Sequence, residues 1–239
     1  MKTTFIFFFM AILNGFLPAQ SLEIKLSSKI LERDIEVFIY REEGKPLDGR
    51  IHYFTDGRKV IENGGLQKIK DLIRRKAIPA STYVFVSSQD PESKKDFRNE
   101  YFFNNPDYIH FFRDELIPEV EARLQRNFEA TMRSLIGISF GGLNAAYFSA
   151  ESRLFKNYAL LSPVTYPRPA LSQYIAFSSN KDLKIFISTG KNDAERYVGP
   201  LKELYESKNY EIELKKTQGG HDFDNWNRQW GKLLNFLSD

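Results

Sequence analysis

The 239-residue chain contains no cysteine and only three histidines, His52, His110 and His221. Without thiols there can be no disulfide framework, no thiolate nucleophile and no cysteine-held zinc or iron–sulfur centre. So few imidazoles also argue against a His-rich metal site, and neither a metal nor a cofactor is expected. Neither sign of charge dominates, with 34 Lys and Arg against 31 Asp and Glu. The formal net charge is +3, and no run of Lys and Arg interleaves with aromatics, so no nucleic-acid partner is expected. No internal repeat, low-complexity tract or domain-dividing linker is visible. No apolar stretch reaches the ~20 residues that a membrane-spanning helix needs.

What is present is ordinary for a globular protein: 42% hydrophobic and 27% charged residues, enough to build one substantial core. The N-terminus stands apart. Lys2 precedes an almost continuous apolar stretch from Phe5 to Leu17, followed by Pro18-Ala19-Gln20-Ser21. A positive start, a short apolar segment and small or helix-breaking residues are the order of a secretory signal peptide. No cysteine follows that could carry a lipid. Residues 1–20 are therefore expected to be a signal peptide and residues 21–239 one exported domain, secreted or periplasmic, with no integral membrane span in the mature chain.

Period-2 alternation in Leu22–Leu26 and Glu36–Tyr40 predicts two half-buried strands paired as an antiparallel hairpin. A third strand, Arg50 to Thr55, runs into Asp56-Gly57, which reads as a turn. Leu66, Ile69, Leu72 and Ile73 recur at helical spacing. From Tyr83–Val86 onward, short runs of β-formers without alternation (Ser134–Ile138, Tyr158–Leu161, Leu183–Ile187) alternate with helical segments (Asp107–Leu124, Gly142–Ser152, Val198–Ser207). Glu211–Leu214 is a last strand and a terminal helix begins near Phe223. Pro118 should kink or interrupt its helix. Gln89–Pro106 reads as a long loop and Ser162–Asn180 as irregular. Strand–helix alternation predicts an α/β fold: a mostly parallel central sheet with an N-terminal antiparallel hairpin and helices on both faces.

Gly137-Ile138-Ser139-Phe140-Gly141 matches the G-x-S-x-G pattern, in which a serine is lifted onto a tight strand-to-helix turn. An apolar strand precedes it and a plausible helix follows, which is the context the pattern requires. In the α/β-hydrolase fold the base and acid follow the nucleophile in the order acid, then histidine. His221 is the only histidine after Ser139, in the loop Gly219-Gly220-His221-Asp222. The acid should follow an intervening strand, where Asp193 is the first choice and Glu195 the reserve. Asp222 and Asp224 are too close in sequence to His221 to fold back onto its ring. The oxyanion hole is expected from the backbone N–H of Phe140 and from the Asp56-Gly57-Arg58 turn, through Gly57 and Arg58. Tyr101, Phe102, Tyr166 and Phe177 are candidates for lining an acyl or aryl pocket, with ordinary packing as the alternative. Arg98 is a candidate contact for a substrate carboxylate or catecholate, or else a solvated side chain.

These residues resemble the esterase-D-like putative esterase family, which includes enterochelin esterases, feruloyl and acetyl-xylan esterases, S-formylglutathione hydrolase and mycolyltransferases. The resemblance rests on Tyr53-Phe54-Thr55-Asp56-Gly57, Asp114-Glu115-Leu116-Ile117-Pro118, Gly137–Leu143, Leu161-Ser162-Pro163, Gly190-Lys191-Asn192-Asp193 and Gly219-Gly220-His221 with Trp226. It is most similar to the enterochelin-esterase-like members. The resemblance implies the α/β-hydrolase fold, a triad of Ser139, Asp193 and His221, and a first oxyanion element at Asp56-Gly57-Arg58. The segment from Pro163 to Leu183 is short, so little lid is expected.

The expected activity is hydrolysis of a small-molecule or glycan-linked carboxylic ester through an acyl-enzyme. The rivals are acyl transfer to an envelope glycan or lipid, and a catalytically silent domain used for binding. The expected exported product begins near Ser21. N-terminal sequencing of the mature protein reads this directly, and a product that retains Phe5–Leu17 would show an uncleaved anchor instead.

Overall fold

The computed structural model describes residues 21–42, 47–165 and 170–239, so the expected leader and Tyr166 lie outside the described residues. The alternating N-terminal segments zip together as β1 (Leu22–Ser28) and β2 (Arg33–Tyr40), in antiparallel register from Leu22 opposite Ile39 to Ser28 opposite Arg33. The chain continues through β3 (Leu47–Phe54), α1 (Gly57–Glu62), α2 (Gly65–Arg74) and β4 (Ala80–Val86). Next come α3 (Arg98–Tyr101), α4 (Pro106–Phe111), a π-helical turn (Phe112–Leu116) and α5 (Ile117–Leu124). The second half is β5 (Arg133–Ile138), α6 (Phe140–Glu151), β6 (Asn157–Leu161), α7 (Leu171–Phe177), β7 (Lys184–Thr189), α8 (Glu195–Glu206), β8 (Glu211–Lys216), α9 (Phe223–Asn227) and α10 (Trp230–Ser238).

One eight-stranded sheet results, in the order β1-β2-β4-β3-β5-β6-β7-β8. Only β2 runs against the others, pairing antiparallel with both β1 and β4, while every other neighbouring pair is parallel. The unbroken apolar strands divide their side chains between two cores. Tyr53, Val84, Leu135, Tyr158, Leu160, Ile185 and Ile187 enter a core shared with α4 to α8. The alternate residues Phe54, Phe85, Ile136, Ile138, Ala159, Leu161 and Phe186 enter the other, shared with α1, α2, α9 and α10. Burial on both faces explains the lack of alternation in the sequence. From β3 the chain steps to β4 on one side and then returns past β3 to β5 on the other, so the winding direction reverses between β3 and β5. A reversal of this kind opens a crevice beyond the carboxyl ends of the strands. Among the described residues no helix is long and apolar enough to cross a membrane.

Several local expectations are corrected or sharpened. The turn expected at Asp56-Gly57 is present at Thr55-Asp56, but it leads straight into a helix, α1 starting at Gly57. Glycine is needed there for proximity: a Cβ would stand 2.3 Å from the backbone carbonyl carbon of Phe85. The long loop carries α3, and the segment read as irregular carries α7. Both are short helices whose few buried residues leave no clear period. The interruption expected at Pro118 is present: α4 gives way to a π-helical turn and α5 begins at Ile117, with Pro118 in its first turn. The wider π-helical turn precedes it, where a proline without an N–H and with a bulky ring is tolerated. The terminal helix is two pieces, α9 and α10.

His52, in the middle of β3, is fully buried against Tyr83, with ring centroids 5.4 Å apart and no hydrogen-bond partner for either ring nitrogen. Burial, aided by the charge of Arg50, pushes its pKa down to about 3. The unfolded chain therefore takes up a proton near pH 6.5 that the folded chain refuses. The stability from this group is complete above about pH 6.5 and is lost as pH falls toward about 3, at a slope near 1.4 kcal/mol per pH unit. Urea unfolding at pH 7 and pH 5 should show a smaller pH loss for His52→Leu than for the parent; equal losses would exclude this account.

Candidate active site

Three loops at the carboxyl ends of β5, β7 and β8 deliver the residues singled out from the sequence. Ser139 is the single residue between β5 and α6, with φ 57° and ψ −115°. Its backbone N–H bonds to Leu161 O at 2.9 Å, and its carbonyl accepts from Leu143 N at 3.1 Å and Val164 N at 3.2 Å. A non-glycine residue held at positive φ is strained and survives only when its surroundings fix it. The glycines explain how the turn closes. A Cβ on Gly137 would lie 1.9 Å from Gly141 O, and a Cβ on Gly141 would lie 2.7 Å from Thr55 Oγ1.

The Ser139 hydroxyl lies 2.9 Å from His221 Nε2. On the other side of the ring, Nδ1 lies 2.5 Å from Asp193 Oδ1. The imidazole is 40% exposed, whereas the Asp193 carboxylate is only 2% exposed. Its second oxygen accepts from Ser162 Oγ at 2.5 Å and from Gly190 N at 3.0 Å, so its buried charge is met by donors. The imidazole also meets the Trp226 indole edge-on at 5.0 Å. Its loop is pinned by Asn225, which is buried, donates to Gly220 O at 2.8 Å and accepts from Thr217 Oγ1 at 2.8 Å. The loops of Asp193 and His221 touch at two glycines: a Cβ on Gly190 would lie 2.1 Å from Gly219 O.

Glu195 does not reach the imidazole; it is exposed at the start of α8. Asp222 caps α9, accepting from Asn225 N at 2.8 Å. Phe140 opens α6, so its N–H is among the helix-start donors without an acceptor in the preceding turn. Gly57 and Arg58 open α1 in the same way. Asp56, at the cap position of α1, makes no capping bond. Its carboxylate turns inward, accepting from Arg98 Nη2 at 2.7 Å and from Ser88 Oγ at 3.4 Å. Burial raises the pKa of Asp56, and the nearby guanidinium opposes that rise.

Arg98 is thus neither a solvated side chain nor free for a substrate carboxylate: it is 22% exposed, paired with Asp56, and sits 5.6 Å from the Phe140 ring centroid. Phe140 is also met edge-to-face by Phe103 at 4.9 Å. Of the aromatics named from the sequence, the three that are described pack elsewhere. Tyr101 and Phe102 are buried in the core, and Phe177 projects into solvent. Ser162 and Trp226, seen in the sequence only as parts of a resemblance, were missed as site residues. A serine just past a strand end, and an indole five residues after the histidine, were the available signals. Among the described residues no group of three or more His, Asp or Glu side chains is gathered to hold a metal ion.

The family model described as "Esterase: Putative esterase" matches residues 28–235. No curated protein sequence matches the chain. Among solved structures, the enterobactin esterase from Shigella flexneri, determined in the presence of enterobactin, has TM-score 0.78 and 23% identity, covering 93% of this chain and 59% of that one. The chain therefore spans about three-fifths of the length of that enterobactin esterase. A ferulic acid esterase has TM-score 0.74 at 15% identity, covering 92% and 97%. An IroE-like serine hydrolase from Shewanella oneidensis has TM-score 0.66 at 18% identity, covering 91% and 79%. The fold shared with them is that of α/β-hydrolase esterases.

The crossing of β5 and α6 predicts opposite outcomes for two glycine substitutions. Gly137→Ala must push the strand from the helix and should cost roughly 3 kcal/mol or more, or abolish folding. Gly199→Ala, inside α8 with nothing within 4 Å of its Cβ, should stabilise by about 0.5–1 kcal/mol. Thermal denaturation compares the two.

Proposed function

The chain belongs to the putative esterase family, and from that premise we propose that Ser139 is the nucleophile of a carboxylic ester hydrolase, His221 its base and Asp193 the acid that holds the ring. The observation that carries this reading is the unbroken line from hydroxyl to imidazole to buried carboxylate, 2.9 Å and 2.5 Å long. In this reading His221 Nε2 takes the hydroxyl proton as Ser139 Oγ attacks the ester carbonyl. The imidazolium is stabilised by Asp193 and gives that proton to the leaving alkoxide as the C–O bond breaks. Water then repeats the sequence on the acyl-enzyme, releasing the carboxylic acid and restoring Ser139.

The carbonyl oxygen carries the negative charge in both tetrahedral intermediates. The N–H of Phe140 and those of the Gly57-Arg58 turn are its proposed donors. The β3 turn is tied to β5 by Thr55 N donating to Ile136 O at 3.1 Å, so both donor sets ride on one rigid sheet. Hydrolysis is favoured over acyl transfer by the exposure of the imidazole. Water reaches the acyl-enzyme unless something excludes it. The substrate is proposed to be a small-molecule or glycan-linked ester met outside the cytoplasm, after export through the N-terminal leader.

Ser139→Ala should lower kcat/KM for p-nitrophenyl butyrate by about 1,000-fold or more with the melting temperature retained, and Asp193→Asn should lower it by a comparable ~10,000-fold. Unchanged turnover in the Ser139 variant would remove the nucleophile from this reading.

A further inference from the structure

The hydrogen-bond line does not stop at Asp193. Trp226 Nε1 lies 3.0 Å from Ser162 Oγ, and Ser162 Oγ lies 2.5 Å from Asp193 Oδ2. An indole N–H can only donate. Ser162 must therefore accept from Trp226 and turn its own proton toward the carboxylate. With Ser162 Oγ and Gly190 N both donating to Oδ2, that oxygen is saturated with donors, an arrangement that favours the carboxylate and leaves Oδ1 to meet His221. Oδ1 then accepts in turn, so His221 Nδ1 carries the proton and Nε2 presents its lone pair to Ser139. We infer that Ser162 and Trp226 are positioning residues that set the direction of this whole proton line, and with it the tautomer and basicity of His221. This inference rests on the proposed roles of Ser139, His221 and Asp193.

The backbone at Ser162 supports a dedicated role. It sits one residue past β6, fully buried, at φ 46°. A left-handed conformation favours glycine. A side chain kept there is strained, and this one spends both of its hydrogen-bonding functions on the site. Ser162 N also bonds to Ser188 O at 2.8 Å, which locks its orientation to β7. Trp226 contributes twice, through its N–H and through the edge contact that confines the imidazole. Other charged groups around the ring are committed or turned to solvent. Asp222 caps α9, Asp56 pairs with Arg98 behind α6, and Lys191, Glu195 and Asp224 are exposed. Ser162 and Trp226 are thus the side chains that orient the line from behind.

The test uses the purified full-length mature protein, with pH–rate profiles on p-nitrophenyl butyrate for the parent, Ser162→Ala, Trp226→Phe and the double variant. Loss of the Ser162 donor leaves the Asp193 charge less dispersed and raises the proton affinity of the imidazole. The acid limb of kcat/KM should move up by about half a pH unit or more, and kcat should fall about tenfold with KM within twofold. Trp226→Phe keeps the ring contact and loses only the N–H, so its shift should be smaller and in the same direction. Because both residues act through one proton line, the double variant should match Ser162→Ala alone. Additive losses, or an acid limb that stays put in both single variants, overturn the inference. Trp226→Phe decides it even where Ser162→Ala fails to fold. The Nδ1 proton of His221, followed by NMR in the parent and in Trp226→Phe, reads the same coupling without turnover. A resonance unmoved by the substitution defeats this inference, whereas activity persisting in Ser139→Ala defeats only the nucleophile assignment.

Discussion

The close crossing of β5 and α6 is the constraint on which the rest depends. The chain passes from strand to helix through one residue, and that is sterically possible only because Gly137 has no Cβ to collide with Gly141 across the turn and Gly141 none to collide with Thr55 after β3. The residue between strand and helix is forced to φ 57°. Its side chain leaves the sheet where the strand ends and the helix N–H groups begin. The Ser139 hydroxyl is thereby lifted out of the sheet, and the next residue's N–H is placed beside it, by one steric fact. Strain at Ser139 is held by three backbone hydrogen bonds to β6 and its following loop and to α6, so the energy stored in the turn is sustained by the core on either side of the sheet.

A parallel sheet then solves the problem of convergence. Ser139, Asp193 and His221 are separated by 28 to 82 residues, yet β5, β7 and β8 run the same way and release their loops at one rim. Alignment alone brings loops within several ångströms. The last few are closed by backbone contact at Gly190 and Gly219 and by the Asn225 amide, which grips the histidine loop from below. Packing of β6 between β5 and β7 places Ser162 at the middle of the rim, where it donates to Asp193 while its neighbours Leu161 and Val164 support the Ser139 backbone.

Strands were the most legible feature of the sequence, because each carries a compact run of β-formers and the two-faced burial erases polar interruptions. The eight expected strand segments overlap the eight that pair. The meeting of Ser139, His221 and Asp193 could be anticipated from a glycine pattern and chain order; Asp193 and Glu195 could not be separated, since only the loop geometry decides which carboxylate turns inward. Short helices were illegible. A four-residue helix such as α3 buries one side chain and leaves no period to detect. Arg98 and Asp56 lie 42 residues apart, and nothing local in either segment announces the pair. Tyr101 and Phe102 looked available for a pocket because they fall in a polar stretch, but their own bulk drives them into the core beneath it.

The site contains two buried carboxylates, and their different surroundings assign them different work. Asp56 faces a guanidinium, whose bidentate-capable charge neutralises it in place and leaves no reason to attract an imidazolium. It is kept for architecture, linking the β3 turn to the loop that carries Arg98, Phe103 and the wall against Phe140. Asp193 is met only by uncharged donors, a hydroxyl and a peptide N–H. Such donors stabilise the ionised form without cancelling its charge, and the remaining oxygen faces an imidazole. Of the side chains that meet Asp193, the His221 imidazole is the one able to carry a compensating positive charge. Exchanging the partners of these two residues would leave both carboxylates buried and hydrogen-bonded while placing a cation beside Asp193, so the partner set, and not burial itself, is what distinguishes the carboxylate that meets an imidazole from the one that braces the fold.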